Sequence, residues 1–118
     1  MIVVSDTTPI SELAKVGYLN LLYELFERVI IPQEVYSELT TGNHPAAEIV
    51  STLSWLEVGQ IRDPKQVTVL QSTSNLELGE VAAMILAEEL KADQLLIDER
   101  AARRVAIASV EAGTGTAL

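Results

Sequence analysis

The chain has 118 residues, 48% of them hydrophobic, and carries 17 acidic against 8 basic side chains for a net charge of −9. That length builds one core and not two, so one domain over 1–118 is expected, and no apolar run is long enough to cross a bilayer. With no cysteine and one histidine, His44, disulfides, thiolate metal sites, Cys nucleophiles and a His-rich zinc site are excluded or disfavoured.

The negative charge repels nucleic acid, whose binding draws on Lys and Arg. It suits a hard-metal site or a basic partner, and simple solubility accounts for it as well. Met1 leads straight into a strand-like segment with no basic leader or cleavage pattern, which predicts a cytoplasmic protein.

Residues 2–5 are short, continuous and largely β-branched, the pattern of a strand buried on both faces, and Asp6 follows at once. Thr8-Pro9 predicts a helix start, with Thr8 as N-cap and Pro9 as first helical residue. Ile10, Leu13 and Ala14 keep helical spacing until Gly17. A second helix is predicted from about Leu19 to Phe26, with Leu21, Leu22, Leu25 and Phe26 as its apolar stripe.

Arg28 to Pro32 reads as a second buried strand, and Pro32 also suits the opening turn of a helix reaching about Leu39. Residues 40–45 have loop composition. Residues 46–53 predict a short helix, and Trp55 to Val58 alternates like a half-buried strand. Gly59 to Lys65 reads as linker, while 66–72 is ambiguous.

Leu78 to Leu90, rich in Ala, Leu, Met and Glu, is the strongest helix signal. A turn at Ala92-Asp93 precedes a third buried strand, Gln94 to Ile97, ended by Asp98-Glu99. Arg100 to about Val110 predicts a further helix, and Gly113 to Thr116 is too short and Gly-rich to assign. Strands alternating with helices predict an α/β fold, with a mostly parallel sheet flanked by helices on both faces.

Two acids, Asp6 and Asp98, end apolar strands. Carboxyl ends of parallel strands share one edge, where open α/β sheets bind ligands. Neighbouring strands would bring the two carboxylates face to face and call for a cation between them. Helix capping competes with this reading at both positions.

Glu80 follows Gly79 at the start of the long helix, where the helix dipole alone favours an acid by about 0.3–1 kcal/mol. Glu34 and Glu38 lie one turn apart on nearly the same face, and the residues do not separate them. Glu77, Glu88 and Glu89 read as solvated charges. Arg100, Arg103 and Arg104 could hold a phosphate or balance the acidic surface. No Gly-rich phosphate loop and no G-x-S-x-G elbow is present.

Val4-Ser5-Asp6-Thr7-Thr8-Pro9-Ile10 resembles the opening of a PIN-domain protein, closest to a short prokaryotic branch linked to toxin–antitoxin modules. Ile31 to Leu39 resembles that branch's second motif, Leu78 to Ala83 its third, and Leu95 to Arg100 its fourth. Their order and spacing match over about residues 1–110. The resemblance implies a Rossmann-like PIN fold and a toxin-type endoribonuclease that needs Mg²⁺ or Mn²⁺, hydrolyses RNA and pairs with an antitoxin protein.

By position, the resemblance makes Asp6, Glu38, Glu80 and Asp98 the catalytic acids. Asp6, Asp98, Glu80 and Glu99 are then candidate metal ligands, Glu99 being the adjacent alternative to Asp98. Thr8, Arg100 and Arg104 would face the substrate. Glu12 stands where the branch often has Asn.

Ala112 to Leu118 only echoes a strand that relatives continue past, which leads to the expectation of a shortened end, an exposed edge and a homodimer. A catalytically inactive PIN-like binding or dimerisation module is the alternative. A phosphoacceptor receiver-like domain ranks third, since it wants an acid pair after the first strand and a late Lys.

Overall fold

The computed structural model describes residues 1–41, 43, 44, 46–98 and 100. Four strands among them form one parallel sheet: β1 (Val3–Ser5), β2 (Val29–Pro32), β3 (Leu56–Gly59) and β4 (Gln94–Leu96). The helices among them are α1 (Thr7–Lys15), α2 (Asn20–Phe26), α3 (Gln33–Thr40), α4 (Pro64–Thr73) and α5 (Leu78–Leu90), with a 3₁₀ turn at Val50–Thr52.

Strand order is β3-β2-β1-β4. The chain steps outward from β1 through β2 to β3, then returns to pair β4 on the free side of β1. Connections therefore diverge between β1 and β4, and a crevice opens beyond their carboxyl ends. The register sets Val3, Val4 and Ser5 against Gln94, Leu95 and Leu96. The Asp6 N–H donates to the Leu96 carbonyl at 2.9 Å, locking the end of β1 to the end of β4.

Side-chain alternation divides the core between the two faces of the sheet. Val3, Val29 and Ile31 pack with Ile10, Leu22, Val35 and Leu39 of the first three helices. Val4 and Ile30 point the other way, onto Ala83 and Leu86 of α5. A smaller cluster, Val67, Leu76, Val81 and Ile85, seals α4 against α5. β1 and β2 are buried throughout, as their continuous apolar runs predict.

Several boundaries differ from expectation. α1 starts at Thr7, with Asp6 in extended conformation (φ −81°, ψ 177°) at its N-cap. Thr8 is therefore inside the helix, and Pro9 occupies its first turn, where a missing N–H costs no intrahelical bond. Residues 46–53 form turns and the short 3₁₀ piece rather than an α-helix.

α4 occupies the segment that reads partly as linker and partly as undecided. Its start does carry a signal: Pro64 is its first residue, and Asp63 accepts the Lys65 N–H at 3.3 Å. The body hides it, because Val67 is the only buried residue of the helix. β4 is partly exposed, not fully buried, with β1 as its sole strand neighbour among the described residues.

Glu89 is not a plain solvated charge either. Its two oxygens accept the N–H groups of Arg62 at 2.7 Å and Asp63 at 3.0 Å, tying the β3–α4 connection to α5. The helix expected beyond Arg100 and the Gly113–Thr116 segment lie outside the described residues. No helix among the described residues is long and apolar enough to cross a membrane.

Ile31 is fully buried on the central strand β2. Ile31→Ala should lower stability by about 2–5 kcal/mol through lost burial and the cavity left behind. The check is a lower urea midpoint at an unchanged slope.

Candidate functional site

Asp6 is the innermost acid of the crevice, only 3% exposed. It holds the N-cap position of α1, yet its side chain makes no capping hydrogen bond. Capping therefore does not account for the carboxylate. Burial pushes its pKa from 3.8 up to about 6; the Thr7 backbone N–H pulls it down, and the charges of Glu80, Glu38 and Asp98 raise it further.

Each of those three acids arrives on a different element. Glu80 stands in the first turn of α5 and is 6% exposed. Its Oε1 accepts the Glu77 N–H at 2.9 Å, while the Glu77 side chain accepts from the Glu80 backbone, a reciprocal capping box. Glu77 thus caps a helix rather than merely facing solvent.

Glu38 lies on α3, and its Oε2 accepts the Thr7 hydroxyl at 3.1 Å. Asp98 follows β4 by two residues and is about a quarter exposed; the Arg100 guanidinium approaches it at 4.0 Å.

These side chains line one open cavity of about 240 Å³, whose wall comprises Asp6, Thr7, Thr8, Glu38, Glu77, Glu80, Asp98 and Arg100. The structure brings Asp6, Glu38, Glu80 and Asp98 together, with Thr8 and Arg100 beside them. Glu34, a turn away on α3, does not line it. Glu12 pairs with Lys15 at 3.2 Å on the exposed side of α1. His44 is not in the wall. Glu99, Arg103 and Arg104 lie outside the described residues.

Two residues beside these acids, Thr7 and Gly79, do not stand out as site residues in the sequence pattern. A Cβ built on Gly79 would lie 2.9 Å from Glu38 Oε2, 3.2 Å from Asp6 Oδ1 and 3.4 Å from Thr7 Oγ1. The available signal was a glycine in the first turn of an otherwise strong helix, where no turn has to be made.

The donors are oxygens, most of them anionic, as hard divalent cations prefer. Among the described residues no three carboxylates close on one point as a ready ligand set. The oxygens line one cavity without meeting at a common point. Such a set fits an ion held by one or two carboxylates that keeps part of its water, as Mg²⁺ commonly does.

A family model described as a PIN domain matches residues 2–118. No curated protein and no solved structure matches the chain.

An acid whose folded pKa is raised contributes stability that is present below its unfolded value, here 3.8, and lost as pH rises through about 6. Asp6→Asn removes the charge at constant size. In EDTA-treated protein at pH 7.5 the variant should be the more stable, by up to roughly 3 kcal/mol, the cost of moving a carboxyl from 3.8 to about 6. That advantage should shrink as pH falls from 7 toward 4. Urea midpoints across the range check it, and a variant weaker than wild type at pH 7.5 would contradict a buried charge at Asp6.

Proposed function

The chain belongs to the PIN-domain family, whose members are generally nucleases, and from that premise we propose a metal-dependent endoribonuclease acting as the toxin of a toxin–antitoxin module. One observation carries the nuclease reading: five acidic side chains, Asp6, Glu38, Glu77, Glu80 and Asp98, line one cavity at the divergence of β1 and β4, and Asp6, the most buried of them, makes no side-chain cap hydrogen bond. The ribonuclease and toxin assignments rest on the four sequence motifs. So does an antitoxin partner.

When bound, Mg²⁺ or Mn²⁺ supplies Lewis-acid polarisation of a phosphodiester and a lowered pKa for the attacking water. Asp6 and Asp98 are the proposed direct ligands, on adjacent strand ends. Glu80 spends Oε1 on the capping box, which fixes its carboxylate at the cavity wall. Glu80 and Glu38 then act as further ligands, directly or through water.

Arg100 is 83% exposed in its side chain and only loosely tied to Asp98, so its guanidinium is free to turn toward a phosphate. Thr8 offers a hydroxyl at the same wall. The negative charge is then partly neutralised where phosphate must approach, because the cation is the largest single charge in the cavity.

A non-catalytic PIN-like binding module is the second reading, favoured by the lack of a closed three-carboxylate set among the described residues. Metal titration separates the two. Under the nuclease reading, EDTA-stripped wild type regains RNA cleavage on adding Mn²⁺ and its melting temperature rises with Mn²⁺, by mass action on the folded state. Asp6→Asn and Asp98→Asn should each lose more activity than the roughly 10–100-fold typical of an outer-shell partner, while remaining folded. Unchanged melting at millimolar Mn²⁺, or full cleavage by clean Asp6→Asn protein, would overturn the assignment.

A further inference from the structure

We infer that Thr7 and Gly79 are positioning residues for Glu38: the Thr7 hydroxyl holds its carboxylate beside Asp6, and Gly79 leaves open the corner that carboxylate occupies. This rests on the reading of the acids as a metal site.

Glycine at position 79 has no local reason. Its backbone is ordinary helix, and among the described glycines only Gly17 has a positive φ. Alanine there would favour α5, since glycine weakens helices through backbone entropy. A Cβ at this position would meet neither backbone nor core within 3.4 Å. The three atoms it would meet are Glu38 Oε2, Asp6 Oδ1 and Thr7 Oγ1, all of the acid cavity. The nearest of them ends a flexible side chain, so the fold could accept the methyl by letting Glu38 swing out. The loss would then fall on the site and not on stability.

Glu38 also needs an anchor. Its residue is exposed, and like charges nearby favour its departure into solvent. Against that stands the Thr7 hydroxyl, donating to Oε2 at 3.1 Å. Thr7 is itself 6% exposed at the β1–α1 junction, and its β-branched side chain has few rotamers to choose from. An adjacent residue to Asp6 thereby reaches across to α3 and fixes the spacing between two acids from different elements.

The test compares full-length wild type with Thr7→Val, Thr7→Ser and Gly79→Ala, each EDTA-stripped. Mn²⁺ is titrated against melting temperature, and metal-free crystal structures are solved. Thr7→Val should lose Mn²⁺ affinity by roughly 10–100-fold, the range for a partner that orients a ligand, and Thr7→Ser should recover most of it. Gly79→Ala should melt at or above the wild-type temperature without metal, yet lose affinity comparably. In both metal-free Thr7→Val and Gly79→Ala structures the Glu38 carboxylate should have left its place beside Asp6.

Wild-type Mn²⁺ affinity in Thr7→Val and Gly79→Ala would overturn the inference, as would a Glu38 that stays in place. A metal-free melting temperature well below wild type in Gly79→Ala would point to packing instead. Wild-type protein without any Mn²⁺ response would overturn the metal reading, and the position of Glu38 in the variant structures would still decide the geometry.

Discussion

A carboxylate that is only 3% exposed constrains everything around it. A pKa raised from 3.8 to about 6 corresponds to a cost of up to roughly 3 kcal/mol for holding Asp6 ionised at neutral pH, against a total stability of about 5–15 kcal/mol for an ordinary domain. The fold holds the surrounding backbone by hydrogen bonds and burial. The Asp6 N–H is bound to Leu96, the Thr7 N–H faces the carboxylate, and β1 lies buried between β2 and β4. A softer junction could relieve the cost by turning the side chain outward or by using it as a helix cap. The side chain instead stays buried beside Glu38, Glu80 and Asp98, with the Thr7 N–H facing it and no side-chain cap hydrogen bond.

Strand order does the assembling. Asp6 and Asp98 are far apart in sequence, but β1 and β4 pair in register and bring their ends together. Glu38 depends on α3 packing between α1 and α5, and Glu80 on α5 lying across β1 and β2. No two of the four acids share an element, so the cavity exists only once the long-range contacts are complete. The capping box adds a local device: it uses one oxygen of Glu80 to start α5 and thereby orients the rest of that carboxylate. Capping and a place in the cavity are not rivals at this residue.

Much of this frame is legible in the chain. β1 and β2 announce themselves because strands buried on both faces lose the polar alternation of exposed ones. α5 does so through propensity and length. α4 is hard to see because only Val67 is buried, while Val69 lies exposed and Leu70 is partly covered, leaving the Asp63-Pro64 start as the main clue. Strand ends make Asp6 and Asp98 visible as candidates. Helical periodicity cannot choose between Glu34 and Glu38, which share a face; the docking of α3 puts only Glu38 at the cavity. Gly79 is the deepest omission. A glycine is read for what its own backbone needs, and here the need belongs to a glutamate forty-one residues earlier in the chain.

The same geometry bears on how an acidic protein could meet a polyanion. At physiological ionic strength charges are screened over about 8 Å, so the net charge of −9 acts on a nearby phosphate mainly through the side chains closest to it. Those are the five acids of the cavity wall, Asp6, Glu38, Glu77, Glu80 and Asp98, with Arg100 beside them. A divalent ion among them would offset part of that charge and set a positive centre within reach of a phosphate oxygen, inside a space of about 240 Å³, while the rest of the surface stays repulsive. Attraction for a phosphodiester would then be confined to the place where it can be cleaved. A basic groove would bind nucleic acid along its length; an acidic body with one cation-filled cavity would instead discriminate by position, and would depend on a partner or on the substrate's own shape for further selectivity.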